Sequence, residues 1–122
     1  MSYTEKTRER ALEALPYLVH YAQLRKTVTY KEISGKIGVH HRPSRCFLEY
    51  IRDQICIPKK LPLINAIVVN GTTRLPGKSF LPQGTNSLSK EEYKQKFEDL
   101  RDEIFAYKKW DLLLKELGLT PI

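Results

Sequence analysis

Apolar residues recur at helical spacing through the start of the chain. Leu12, Leu15, Leu18, Val19 and Ala22 share one face, and Thr4 stands where an N-cap belongs. Pro16 interrupts that face, so the pattern predicts either a kink there or a second helix starting near it. Thr27-Val28-Thr29 is a short β-prone link. Thr29-Tyr30-Lys31-Glu32 then fits a capping box, in which the Thr hydroxyl and the Glu carboxylate each satisfy a free backbone N–H. A short helix is expected to about Lys36, ended by Gly38. Beyond the loop Val39-His40-His41-Arg42, Pro43 sits at a first helical position. The third helix is expected to reach about Ile55, burying Phe47, Leu48, Ile51 and Ile55, with Pro58 closing it.

Leu63 to Val69 is a continuous apolar run broken only by Asn65, which reads as a largely buried strand. Asn70-Gly71 is a strong hairpin signal, with Thr72-Thr73-Arg74 as the return and Leu75-Pro76-Gly77 as another turn. Leu81 to Asn86 reads as loop. Ser89-Lys90-Glu91-Glu92 is a second capping box, with Leu88 and Tyr93 as a hydrophobic staple. The helix behind it is expected to bury Tyr93, Phe97, Leu100 and Ile104. A last stretch through Trp110, Leu113, Leu114 and Leu117 ends at Gly118, with Pro121 beyond. With no repeat or low-complexity linker, the pattern predicts one domain over residues 1–122. The fold class is mainly α with a small β-hairpin: a helix-turn-helix plus wing over 27–80, supported by helix over 88–118.

Composition narrows the setting. A chain of 122 residues can bury a core without a disulfide or metal staple, and 41% apolar with 29% charged residues is a globular balance. No apolar run approaches the roughly 18 residues of a membrane span, and Met1 to Lys6 lacks the pattern of a signal peptide. Two cysteines, Cys46 and Cys56, are too few for a disulfide scaffold, which points to a reducing cytoplasm.

Charge changes the picture more. The chain carries +7, with 21 Lys and Arg against 14 Asp and Glu. Arg25 to Lys78 alone holds 11 basic residues against Glu32, Glu49 and Asp53, a local +8, so the remainder is −1. His40 and His41 lie inside the same stretch. A concentrated positive field is the footprint of a phosphate-binding surface. Arg42, Arg45, Glu49 and Arg52 fall at i, i+3, i+7 and i+10 of the third helix, one polar stripe at about 100° per residue. Arg-rich on the second helix of a helix-turn-helix pair, such a stripe suits a DNA groove. The alternative is a solvated basic face, or one matched to an acidic protein partner, as in a small immunity, antitoxin or inhibitor protein.

The search for chemistry is mostly negative. The chain has no Gly-rich phosphate loop, Gly-x-Ser-x-Gly or His-Glu-x-x-His. Cys46 and Cys56 are ten apart on one expected helix, roughly 15 Å along its axis and too far to bond. His40, His41, Cys46 and Cys56 lack the close Cys pair of a structural zinc site. Cys46 beside a His is a conceivable nucleophile–base pair, against the commoner reading of a small buried thiol. Neither cofactor nor metal is expected, and no enzyme activity.

The middle segment resembles a known family. Thr27-Val28-Thr29-Tyr30-Lys31-Glu32-Ile33, Gly38, Pro43-Ser44-Arg45 and Leu61-Pro62-Leu63-Ile64 are similar to the winged-helix domain of O6-alkylguanine-DNA alkyltransferases and alkyltransferase-like proteins. The resemblance covers residues 27 to about 80. It implies minor-groove DNA binding with base flipping, Tyr30 acting at the backbone beside the flipped nucleotide and Arg45 filling the vacated space. Where the family carries Pro-Cys-His-Arg, this chain reads Asn65-Ala66-Ile67-Val68-Val69, so alkyl transfer is excluded. The expected function is therefore non-enzymatic binding of duplex DNA. The expected contacts are Tyr30, Lys31, Lys36, Arg42, Arg45, Arg52, Arg74 and Lys78.

Overall fold

Helix α1, Glu5–Gln23, starts at Thr4, whose hydroxyl accepts from the Thr7 N–H at 3.1 Å. The computed structural model describes residues 4–39, 44–77 and 88–122, with the backbone alone at 44–46. The helix passes through Pro16 as one element, so of the kink or second helix expected there, the second helix does not form. An interior proline costs a helix about 3 kcal/mol. Burying one Leu or Val recovers roughly 1.5–3 kcal/mol, and α1 buries Leu15, Leu18 and Val19 together with Ala11, Ala14 and Ala22. Packing wins over the missing N–H.

Strand β1, Val28–Thr29, leads directly into helix α2, Tyr30–Lys36. The capping box forms as the sequence predicts: Glu32 N–H donates to the Thr29 hydroxyl and Thr29 N–H to the Glu32 carboxylate, both at 3.1 Å. Helix α3, Ser44–Tyr50, continues as a π-helical segment, Ile51–Cys56, so helical structure runs through the expected Ile55. The Ile57 N–H reaches the Arg52 carbonyl, five residues back, in the bonding pattern of that wider winding.

The apolar run after Pro62 departs from expectation. Ile64–Ile67 is a 3-10 turn, and only Val68–Val69 forms a strand, β2. Strand β2 pairs with β1 in parallel, Val28 opposite Val68 and Thr29 opposite Val69. The expected hairpin is thus replaced by a parallel pair, with no return strand among the described residues. Asn70 instead closes a tight turn. Its N–H donates to the Leu75 carbonyl, its carbonyl accepts from Arg74, and its side-chain oxygen accepts from the Thr72 and Thr73 N–H groups. These bonds satisfy the turn internally, and β1 supplies the ladder partner that a returning strand would have given.

Helix α4, Lys90–Ala106, carries the second capping box at Ser89, and helix α5, Trp110–Glu116, follows. Phe97 and Ile104 of α4 are buried as expected, whereas Tyr93 and Leu100 are half-buried. The core is one cluster centred on Ile64, Ala66 and Ile67, all fully buried between α1, α4 and the π-helical segment. A run enclosed on all sides by helices needs no alternation of polar and apolar residues, so periodicity alone could not separate strand from helical turn.

Four helical segments among the described residues end with the same two bonds. After α1, Arg25 N–H meets Ala22 O and Lys26 N–H meets Tyr21 O; after α2, Gly38 meets Gly35 and Val39 meets Ser34. After the π-helical segment, Lys60 meets Ile57 and Leu61 meets Cys56; after α5, Gly118 meets Lys115 and Leu119 meets Leu114. The first donor in each pair has positive φ: 57° at Arg25, 72° at Gly38, 56° at Lys60 and 71° at Gly118. Glycine takes this left-handed conformation freely, whereas a residue with a Cβ gives up roughly 1–2 kcal/mol there. Two of these ends use glycine and two use a cation.

Candidate functional site

The basic segment is drawn together around β1. Arg74, in the turn after β2, also has a left-handed backbone with φ 59°, and its guanidinium donates to the Thr27 hydroxyl at 3.1 Å. Three residues further on, the Gly77 N–H donates to the Tyr30 hydroxyl at 2.6 Å. A Cβ at Gly77 would lie 2.9 Å from that hydroxyl, so the close approach requires glycine. The Tyr93 hydroxyl of α4 donates to the Pro76 carbonyl next to it. Two tyrosines from different helices therefore grip the 76–77 peptide and fix the exit of the turn.

An open cleft of about 540 Å³ lies beside this grip. Arg25, Lys26 and Thr27 line it from the link after α1, Arg74 from the turn, and Arg101 and Asp102 from α4. Phe105 completes the wall. The Arg101 guanidinium stands 5.7 Å from the Phe97 ring centroid and donates to one Asp102 oxygen from Nε and Nη2, at 3.3 and 3.2 Å. Arg25 and Lys26 are exposed and make no side-chain hydrogen bond or ion pair with any described residue.

The expected contact residues divide. Lys31, Lys36 and Arg74 are exposed. Tyr30 is half-buried, with its hydroxyl engaged by Gly77. Arg52 departs from the exposed stripe: it is 7% exposed, and its Nε and Nη2 donate to Asp53 at 2.6 and 2.9 Å. Extending 100° per residue past Ile51 misplaces it, because the π-helical segment turns less per residue. Arg42, Lys78, His40, His41, Pro43 and the loop from Leu81 to Asn86 lie outside the described residues, as do the side chains of Arg45 and Cys46. Sequence reading missed Arg25, Lys26 and Arg101 as site residues. Arg101 sits in the near-neutral third of the chain beside Asp102, where nothing local marks it.

Cys56 is sealed in the core, and burial pushes its thiol up to about 12, against a hydrogen bond from the Ile64 backbone. Burial, and to a lesser degree the neighbouring Tyr30, likewise raises the Tyr93 phenol to about 12. Both groups are neutral when protonated, so the folded state holds their protons more tightly than the unfolded chain. Their stabilising contribution is complete below their ordinary values of 9.0 and 10.0 and disappears as pH rises through about 12. Tm should therefore fall progressively above about pH 9, and Cys56→Ala should delay the onset. Thermal melts from pH 8 to 11 check this, and a Tm that stayed level across that range would contradict it.

The fold is thus mainly helical with a two-stranded parallel sheet, and its most distinctive surface is a cationic cleft where three chain segments meet. No family model, curated protein or solved structure matches the chain. No helix among the described residues is long and apolar enough to cross a membrane.

Proposed function

We propose that this is a non-enzymatic, cytoplasmic nucleic-acid-binding protein that holds duplex DNA through the basic segment between Arg25 and Lys78. The observation carrying this reading is the gathering of that segment's charge. The parallel β1–β2 pair, the Arg74–Thr27 bond and the Tyr30–Gly77 bond set Arg25, Lys26, Lys31 and Arg74 around one strand. Helices α2 and α3 act as a helix-turn-helix pair, with Arg42 and Arg45 entering the groove and Lys31, Lys36, Arg74 and Lys78 meeting phosphates. Tyr30 acts indirectly, holding the 76–77 peptide in place. Arg52 has a structural role in this scheme.

Binding through phosphates releases counterions, so affinity for duplex DNA should fall with salt by about 0.9 log units per log unit for each phosphate contact. Four contacts would give a slope near −3.6 by that rule. Fluorescence anisotropy over a salt series measures it, with polyglutamate as the acidic-polymer control. Equal affinity for polyglutamate and duplex at each salt would overturn the reading in favour of an acidic protein partner.

A further inference from the structure

We infer that the cleft between the α1–β1 link, the turn after β2 and α4 seats a phosphodiester of the bound strand, with Arg25, Lys26, Arg74 and Arg101 as its ligands. This inference rests on the nucleic-acid reading above and adds a site to it. Four cations against the single acid Asp102 line one concavity. Like charges gathered in this way repel until an anion enters, and guanidinium and ammonium groups are the natural partners of phosphate oxygens. The lining is unlike that of a typical small-molecule pocket, which is mainly apolar. Here Phe105 is the one apolar side chain.

Two of the four ligands occupy backbone positions that favour glycine. Arg25 closes α1 in the left-handed conformation that Gly38 and Gly118 adopt at the ends of α2 and α5, and Arg74 adopts it in the turn. The fold would accept glycine at either place with less strain. A guanidinium stands at each, and both residues line the same cleft. Two of the ligands are also pre-positioned: Arg74 is held by Thr27, and Arg101 by Asp102 and the Phe97 ring. Arg74 keeps donors to spare, since a guanidinium carries five N–H groups.

The same feature supplies a test that does not depend on a variant failing to fold. Arg25→Gly relieves backbone strain and should melt higher than the parent by about 2–4 °C, whereas Arg74→Gly gains the same relief but gives up the Thr27 bond, so its Tm should stay close to the parent's. Each should nevertheless bind duplex DNA about tenfold more weakly at moderate salt, with the salt slope shallower by less than one unit because three cations still face the phosphate. Lys60→Gly, at the equivalent helix end outside the cleft, should melt higher while affinity stays within about twofold.

Arginine Nε–Hε NMR signals, followed during separate titrations with duplex and with inorganic phosphate, report occupancy. Duplex should shift the Arg25, Arg74 and Arg101 signals together. If the parent binds duplex with a steep salt slope but both glycine variants bind as tightly, the cleft assignment falls and the nucleic-acid reading stands. If inorganic phosphate saturates these signals and duplex leaves them unmoved, a free phosphate is the ligand and the assignment to a strand falls. If the parent shows no salt-dependent duplex binding, both fall together.

Discussion

Trp110→Ala should lower the unfolding free energy by about 4 kcal/mol, a large share of the roughly 5–15 kcal/mol available to a domain. Trp110 opens α5 at 1% exposure, packs edge-on to Tyr107 with ring centroids 4.6 Å apart, and donates its indole N–H to the Ile104 carbonyl at 3.1 Å. Truncation empties that space and takes the indole donor from the Ile104 carbonyl, which keeps only its 3.3 Å bond from the Tyr107 N–H. Trp110→Phe fills most of the volume and loses only the hydrogen bond, so it should cost about 1–2 kcal/mol. Urea unfolding of the two variants separates the contributions, and equal losses would mean that the indole N–H dominates. The effect extends to the site. Helix α5 ties back to α1 through the Gln23 amide donating to Asp111 at 2.9 Å, and the Trp110–Ile104 bond fixes α5 to the end of α4, which carries Arg101. Loosening α5 should therefore weaken duplex binding as well as stability.

Asp53→Ala should cost about 3 kcal/mol. It removes the carboxylate that accepts from both Nε and Nη2 of a nearly buried guanidinium, and breaking such a pair from one side costs about 3–5 kcal/mol. The lower end applies because Asp53 is itself partly exposed, at 31%. Arg52→Met removes the charge while keeping most of the aliphatic stem, so it should be the milder change. The pair also separates two roles for Arg52. If Arg52 is structural, folded Arg52→Met protein binds duplex DNA with unchanged salt slope, as calorimetry or anisotropy below the unfolding midpoint would show. A slope reduced by about one unit would return Arg52 to the contact surface.

What could be read from the sequence was what is decided locally. Thr4, Thr29 and Ser89 cap helices because each hydroxyl meets a backbone N–H three residues on, a contact that the chain makes without distant help. Gly38 ends α2 and Gly118 ends α5 for an equally local reason. The failures arise where a distant partner or a change of helical winding decides. Asn70-Gly71 looks like a hairpin until Val28 and Thr29, forty residues earlier, claim the strand. Arg52 looks exposed until the helix changes its winding at Ile51. Of the site, the middle segment's charge was visible in the sequence. The cleft was not, because Arg25 and Arg101 are 76 residues apart and meet only in the folded chain.

The direction of the two short strands has a consequence for how the surface is assembled. Because β1 and β2 run the same way, the chain leaves both from the same end of the sheet, once into α2 and once into the Asn70 turn. Residues one step past β1 and eight steps past β2 are thereby delivered side by side, which is how Gly77 comes within reach of Tyr30. An antiparallel pairing of the same two strands would have sent those two exits to opposite ends and dispersed their cations. Four residues of parallel ladder act as a collating device, stacking separate stretches of basic sequence into one edge.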